Sequence, residues 1–115
     1  MSVNYYAITP ETPEGDEGLH IGKHVGGKEF LFRAHRNLGL VSVAAWREFL
    51  SRPGVRIVAE HGLEEPLDEF MADATKRPAD AIRAGERRMW DWERKAVTFR
   101  DDDARGVPFY DGEFC

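Results

Sequence analysis

The 115-residue chain has one cysteine, Cys115, and no long hydrophobic run. A single cysteine excludes an internal disulfide, and no stretch approaches the roughly 18 consecutive apolar residues of a membrane-spanning helix. Residues 1–6 carry neither a basic segment nor an apolar run, so we expect no signal peptide. These absences are compatible with a reducing cytoplasm and predict a protein without a membrane partner.

The common catalytic signatures are also missing. No serine stands in a Gly-x-Ser-x-Gly elbow, and Cys115 is terminal. Gly22 and Gly27 precede Lys28 with the spacing of a phosphate-binding loop, but Glu29 replaces the Ser or Thr that such a loop needs for its metal. We therefore assign no catalytic residue and no cofactor, and a non-enzymatic role is favoured.

The net charge of −5 conceals alternating blocks. Residues 19–59 and 76–100 carry local charges of +5 and +4, whereas residues 1–18, 60–75 and 101–115 carry −4, −6 and −4. A nucleic-acid-binding domain usually presents a net basic face. Here the acidic blocks can neutralise the basic ones after folding, so nucleic acid is a disfavoured partner.

Length and hydrophobic content are typical of a single globular domain, residues 1–115. Alternating and β-branched patterns predict strands at residues 3–9, 19–25, 28–34 and 55–60. Helical spacing predicts a short helix capped by Ser42, a second that starts at residues 64–66 and ends before Pro78, and a longer amphipathic one over 79–100. The predicted fold class is α+β: a small antiparallel sheet of about four strands packed with two short helices and one longer helix.

The segment from residue 19 to residue 35 is the most informative. Two short strands joined by Gly26-Gly27 predict a tight hairpin. This register places His20 opposite Arg33 and His24 opposite Glu29 on one face. The other face then carries the large apolar side chains Ile21, Val25, Phe30 and Phe32.

His20, Arg33 and His35 form the first candidate site, because cross-strand neighbours lie about 5 Å apart. One interpretation is a pocket for a small anion or nucleotide, or a general acid–base histidine. The other is a covered strand face whose polar groups bond to backbone carbonyls, and it is the more common outcome. His20 and His24 are about 13 Å apart along a strand, so they cannot bind one metal ion.

An acidic run is the second candidate, comprising Glu60, Glu64, Glu65, Asp68, Glu69 and Asp73. Carboxylates at these spacings suit either a divalent cation or acid–base pair, or the solvent-exposed face of a helix. The run lacks the pattern of a calcium-binding loop, and a solvated face is favoured.

A basic segment with two tryptophans is the third candidate, with Arg87, Arg88, Trp90, Trp92 and Arg94. Such a segment can stack nucleobases, pack in a core with cation–π contacts, or bind a protein partner. Core packing or a partner contact is favoured over nucleic acid, because the whole chain is acidic.

The motif Leu19-His20-Ile21-Gly22-Lys23 resembles a group of small proteins from bacteriophages that infect actinobacteria and related hosts. The resemblance continues at Phe30, Gly39, Ser42, Trp46, Pro53-Gly54, Glu60, Gly62 and Gly112-Glu113-Phe114. It covers about residues 4–75 and the last few positions, and it leaves 79–107 unmatched.

The resemblance implies a zinc site that this chain lacks. Family members carry a Cys-x-x-Cys pair where this chain has Thr9 and Thr12, and a histidine where it has Arg33. With His20 these groups resemble the four ligands of a tetrahedral zinc site. Only His20 remains, so we expect no zinc here, with Arg33 bonding instead to the Thr9–Thr12 loop or its acids.

The resemblance also implies a phage protein in the cytoplasm of an infected bacterial host. We expect a non-enzymatic accessory protein that binds a host protein, through the Trp90–Trp92 segment or the acidic surface over 60–73. Such a protein would redirect host machinery or counter host defence. The alternative is a binder of a small anionic ligand or nucleotide at His20, Arg33 and His35.

Overall fold

A computed structural model describes residues 2–25, 30–76 and 97–111 of the chain. Within these ranges seven strands form one sheet and two α-helices accompany it. The strands are β1 (Ser2–Ile8), β2 (Leu19–Val25), β3 (Phe30–Ala34), β4 (Arg56–Ala59), β5 (Glu64–Glu65), β6 (Phe99–Asp101) and β7 (Val107–Asp111). The helices are α1 (Val43–Leu50) and α2 (Leu67–Ala74).

The sheet is mixed, with strand order β5-β4-β1-β2-β3-β7-β6. β3 and β7 run parallel, and the other neighbouring strands are antiparallel. The prediction of a small four-stranded antiparallel sheet with three helices is therefore wrong, although the broader α+β class agrees with the structure. Most of the predicted long helix, 79–100, lies outside the described residues, but Phe99 and Arg100 at its end belong to β6.

The three strands missed by the prediction have weak local signals. β5 is two glutamates long and occupies the place of a predicted helix start. β7 contains Pro108, a residue that normally argues against a strand. Tertiary packing outweighs the unfavourable effect of this proline, because the Phe109 ring stacks on Phe32 of β3 and on Phe99 of β6. Both pairs of ring centroids are 5.1 Å apart.

Capping hydrogen bonds mark the start of α1, whereas α2 begins after a proline without a side-chain cap. Ser42 Oγ accepts a 3.0 Å hydrogen bond from the backbone N–H of Ala45, and Asp101 accepts one of 2.7 Å from Val43. The helix α2 follows Pro66 and carries acids in its first turn, which the helix dipole favours.

Both helices contribute to one core on a single face of the sheet. Trp46 of α1 and Phe70 of α2 are fully buried there. The Phe70 ring lies 5.2 Å from Tyr5 and 5.4 Å from Phe30, so α2 covers β1 and β3. Neither described helix combines the length and apolarity that a bilayer crossing requires.

Candidate functional site

A β-bulge in β2 determines where His20 points. Tyr5 pairs with Gly22 and Tyr6 pairs with His20, so Ile21 is an extra residue in the β1–β2 ladder. An extra residue changes the alternation of side chains between the two faces. Side chains of β2 that would share a face in a regular strand therefore lie on opposite faces when Ile21 stands between them.

The bulge separates the two histidines of β2. His20 Nε2 lies 2.8 Å from Asn4 Oδ1, on the face of β1 opposite the core. His24 pairs with Phe30, and their rings are 6.2 Å apart on the core face. The prediction that His20 and His24 share a face is wrong, because it assumed an unbroken alternation. The prediction that His24 lies opposite Glu29 is wrong by one residue, since the β2–β3 register pairs His24 with Phe30.

At Gly22 the backbones of β2 and β3 approach so closely that there is no room for a side chain. A Cβ atom at this position would overlap the carbonyl oxygen of Leu31 and lie 2.7 Å from the Phe30 ring. A lone glycine inside a strand pattern indicates a bulge or a close backbone contact. That signal is present in the sequence and is the one that could have predicted the bulge.

Two aromatic rings make hydrogen bonds near the ends of β2 and β3, where the described pairing of these strands stops at Gly22 and Phe32. The Trp46 indole N–H donates a 3.0 Å hydrogen bond to the carbonyl of Arg33. His35 Nε2 lies 2.8 Å from the carbonyl oxygen of His20 and donates to it. The rings of His35 and Trp46 meet edge-on, with their centroids 5.8 Å apart. These contacts hold the backbone of Arg33 against Trp46 and the backbone of His20 against the ring of His35, and the charge of Arg33 acts on both imidazoles.

Burial lowers the pKa values of both imidazoles of this cluster. The pKa of His20 falls from 6.5 to about 4, mainly because the side chain is buried and secondly because the positive charge of Arg33 lies nearby. Burial also lowers the pKa of His35; the hydrogen bond to His20 opposes this effect, and the charge of Arg33 reinforces it. Arg33 therefore supplies the positive charge of the cluster.

The Nε atom of Arg33 is buried and has no hydrogen-bond partner among the described residues. The predicted bond to the Thr9–Thr12 loop is wrong for this atom. That loop closes on itself instead: Thr9 N–H donates 2.9 Å to Thr12 Oγ1, and the two hydroxyls are 3.2 Å apart. Buried polar groups are nearly always paired, so this guanidinium requires an explanation.

Asn4 connects the cluster to the end of β4. Its Nδ2 donates a 3.1 Å hydrogen bond to Glu60 Oε1, while its Oδ1 accepts from His20. The backbone N–H of Glu60 also donates to the carbonyl of Asn4 at 2.8 Å. Glu60 thus orients the amide, and the amide orients His20. Sequence reasoning missed Asn4 because this role depends on strand pairing.

The acidic run is mostly a solvent-exposed face, as the sequence predicts. Asp68, Glu69 and Asp73 are exposed on α2. Glu64 pairs with Arg56 at 3.1 Å. In the described part of the chain no three His, Cys, Asp or Glu side chains converge as a metal-binding group would.

The third predicted site, Arg87, Arg88, Trp90, Trp92 and Arg94, lies outside the described residues. The chain matches no protein-family model, and comparisons with curated proteins and with solved structures find no match either. The resemblance to phage proteins therefore stays a prediction.

Proposed function

We propose that the protein is a non-enzymatic binding protein that takes a small anionic ligand or nucleotide at His20, Arg33 and His35. The observation that carries this proposal is the buried, unpaired Nε of Arg33. Leaving a buried donor without an acceptor costs about 1–3 kcal/mol, more for a charged group. An anion would supply the acceptor that this Nε–H lacks.

The hydrogen bonds of the two histidines favour binding over acid–base catalysis. His20 Nε2 is engaged by Asn4, and His35 Nε2 is engaged by a backbone carbonyl. A general base near neutral pH needs a pKa near the working pH. Burial lowers the pKa of His20 to about 4, well below that range, and it lowers the pKa of His35 as well.

Titration followed by ¹H–¹⁵N NMR tests this proposal, with inorganic phosphate and adenosine monophosphate as probes. We expect shifts at His20, Arg33 and His35 that saturate in wild type and vanish in Arg33→Ala. The matched control is Arg52→Ala, since Arg52 is an exposed arginine paired with Glu48. Unchanged resonances in wild type, or equal binding by Arg33→Ala, would refute the anion site.

We also propose a host protein as partner, with the chain acting as a phage accessory protein in the cytoplasm of the infected cell. The supporting observation is Leu63, which is 60% exposed and stands in the chain between the exposed acids Glu60 and Glu64. An apolar anchor surrounded by charged groups is typical of a protein-binding surface.

Affinity capture from an actinobacterial lysate tests the second proposal. Wild type should retain one stoichiometric protein, and Leu63→Ser should lose it. Leu38→Ser is the matched control, because Leu38 is 53% exposed and belongs to another part of the fold. If wild type retains no host protein, or if Leu63→Ser retains as much as wild type, the acidic surface is not the binding site.

A further inference from the structure

We propose that residues 77–96, which lie outside the described ranges, pack across the face of the sheet opposite α1 and α2. Side chains on this face are buried, although both described helices contribute to the core on the other face. This packing needs no bound ligand, so it is independent of the proposed function.

The face opposite the helices carries a row of four side chains, one from each of β2, β3, β7 and β6. Lys23 pairs with Leu31, and Arg100 pairs with Pro108. The parallel register of β3 and β7 places Leu31 beside Pro108. Because Phe32 belongs to the core, the alternation of the strand directs Leu31 away from it. The row therefore has an apolar centre between two cations.

The centre of this row is buried. Leu31 is 6% exposed and Pro108 is buried as well, yet neither belongs to the core under the helices. His20, on the same face, is 7% exposed. A sheet with one face in water has buried apolar side chains on the other face only, so burial on both faces indicates a layer on each.

The described segments nearest to this row do not form such a layer. Both helices contribute to the core on the other face. The loop between β1 and β2 lies against Ile8 and Gly54, whereas the row lies beside Asn4, four residues earlier in β1. Four residues of a strand span about 13 Å. We therefore assign the layer over Leu31 to residues outside the described ranges.

The length and the end point of the segment 77–96 fit this layer. A row across four neighbouring strands spans about 14 Å. Residues 26–29 only join β2 to β3, and residues 112–115 follow β7 directly. The segment 77–96 is much longer than either, and it ends shortly before β6, the strand at the edge of the sheet.

The composition of the segment suits the row as well. Residues 90–93 read Trp-Asp-Trp-Glu, so aromatic and acidic side chains alternate. Aromatic rings bury a large apolar area, which matches Leu31 and Pro108 at the centre. Carboxylates and ring faces both attract cations such as Lys23 and Arg100, and both of these side chains are engaged in interactions. The two tryptophans then belong to the interior of the protein and not to a partner-binding surface.

Nuclear Overhauser effects in the full chain, labelled at leucine methyls and tryptophan rings, test the proposal. We expect contacts between the Leu31 methyls and the indole protons of Trp90 or Trp92, assigned with Trp90→Phe and Trp92→Phe. The exposed Leu63 methyls are the control and should show no such contacts. A soluble paramagnetic agent should relax the Leu63 methyls several times more strongly than those of Leu31.

A double variant, Trp90→Ser with Trp92→Ser, gives a second readout. The paramagnetic relaxation of the Leu31 methyls should rise severalfold, because the layer that shields them is lost. The methyls of Leu50 are the control, since they belong to the core under the helices and should not change. The contacts in wild type decide the question even if the double variant unfolds.

Each of three results would overturn the proposal. Contacts of Leu31 with Phe114 alone would assign the layer to residues 112–115. Equal relaxation of Leu31 and Leu63 in wild type would show that this face is open to solvent. Shielded Leu31 methyls without contacts to either segment would assign their burial to the aliphatic stems of Lys23 and Arg100.

Discussion

Asn4 accepts a hydrogen bond of 2.8 Å from His20, and this contact places the hydrogen of the imidazole on Nε2. The same amide donates to Glu60 at 3.1 Å. A buried histidine at one end and an exposed glutamate at the other are thus joined by one side chain. The position of His20 in the cluster depends on this link between β1, β2 and the end of β4.

Asn4→Ala removes the acceptor of His20 and the donor to Glu60. We expect the free energy of unfolding to fall by about 1–3 kcal/mol, because a buried imidazole N–H is left unpaired. Urea denaturation monitored by circular dichroism measures the change. Asn37→Ala, at an exposed position of the short helix after β3, is the control and should change it by less than about 0.5 kcal/mol. Equal stability of Asn4→Ala and wild type would contradict the link.

Stability should fall as the pH is lowered, because of His20. Burial lowers the pKa of folded His20 from 6.5 to about 4, so the unfolded chain binds more protons between these values. His20 therefore contributes up to about 3 kcal/mol to the free energy of unfolding. This contribution is fully present above about pH 6.5 and is lost as the pH falls towards about 4.

Denaturation series at several pH values check this prediction. The slope of stability against pH should flatten in His20→Gln and persist in His61→Gln, since His61 is exposed. A slope that survives in His20→Gln would assign the effect to other groups. His35 should add a smaller contribution of the same sign, because its pKa is also lowered.

Gly22→Ala should be among the most damaging single changes in the sheet. The added Cβ would overlap the Leu31 carbonyl and press on the Phe30 ring, at a cost of roughly 3 kcal/mol or more. Gly15→Ala is a useful comparison, because Gly15 has φ of +84° but open space around it. Backbone strain alone costs about 1–2 kcal/mol there. Similar melting temperatures for the two variants would argue against the close approach of β2 and β3.

The features that sequence predicts well are those encoded by near neighbours. Ser42 is predicted to cap a short helix, and its hydroxyl does accept a hydrogen bond from Ala45. The predicted strands at 3–9, 19–25 and 55–60 agree closely with β1, β2 and β4. Capping and alternation are local properties, so the sequence alone indicates them.

The features that sequence misses depend on contacts between distant segments. β7 forms because Phe109 packs between Phe32 and Phe99, and no local pattern outweighs its proline. The Ile21 bulge moves His20 to another face than His24, although a regular strand would place them together. The grouping of His20 with Arg33 and His35 was predicted, but the contacts that hold it, from Asn4 and Trp46, were not.

Trp46→Phe tests how α1 supports the site. Phenylalanine keeps an aromatic ring in the core but cannot donate to the carbonyl of Arg33. We expect a loss of about 1–3 kcal/mol in the free energy of unfolding, together with weaker phosphate binding. Phe49→Leu, a half-buried change on the same helix, should cost stability without affecting phosphate binding. Unaltered phosphate affinity in Trp46→Phe would show that this hydrogen bond does not position Arg33.

The free energy of unfolding of Arg33→Met, measured at neutral pH without added anions, tests the central claim most directly. The Nε–H of Arg33 has no acceptor to lose, so we predict that methionine leaves stability unchanged or raises it by about 1–2 kcal/mol. Added phosphate should then stabilise wild type and not the variant. A loss of about 3 kcal/mol or more in Arg33→Met would instead identify Arg33 as half of a structural ion pair and contradict the account.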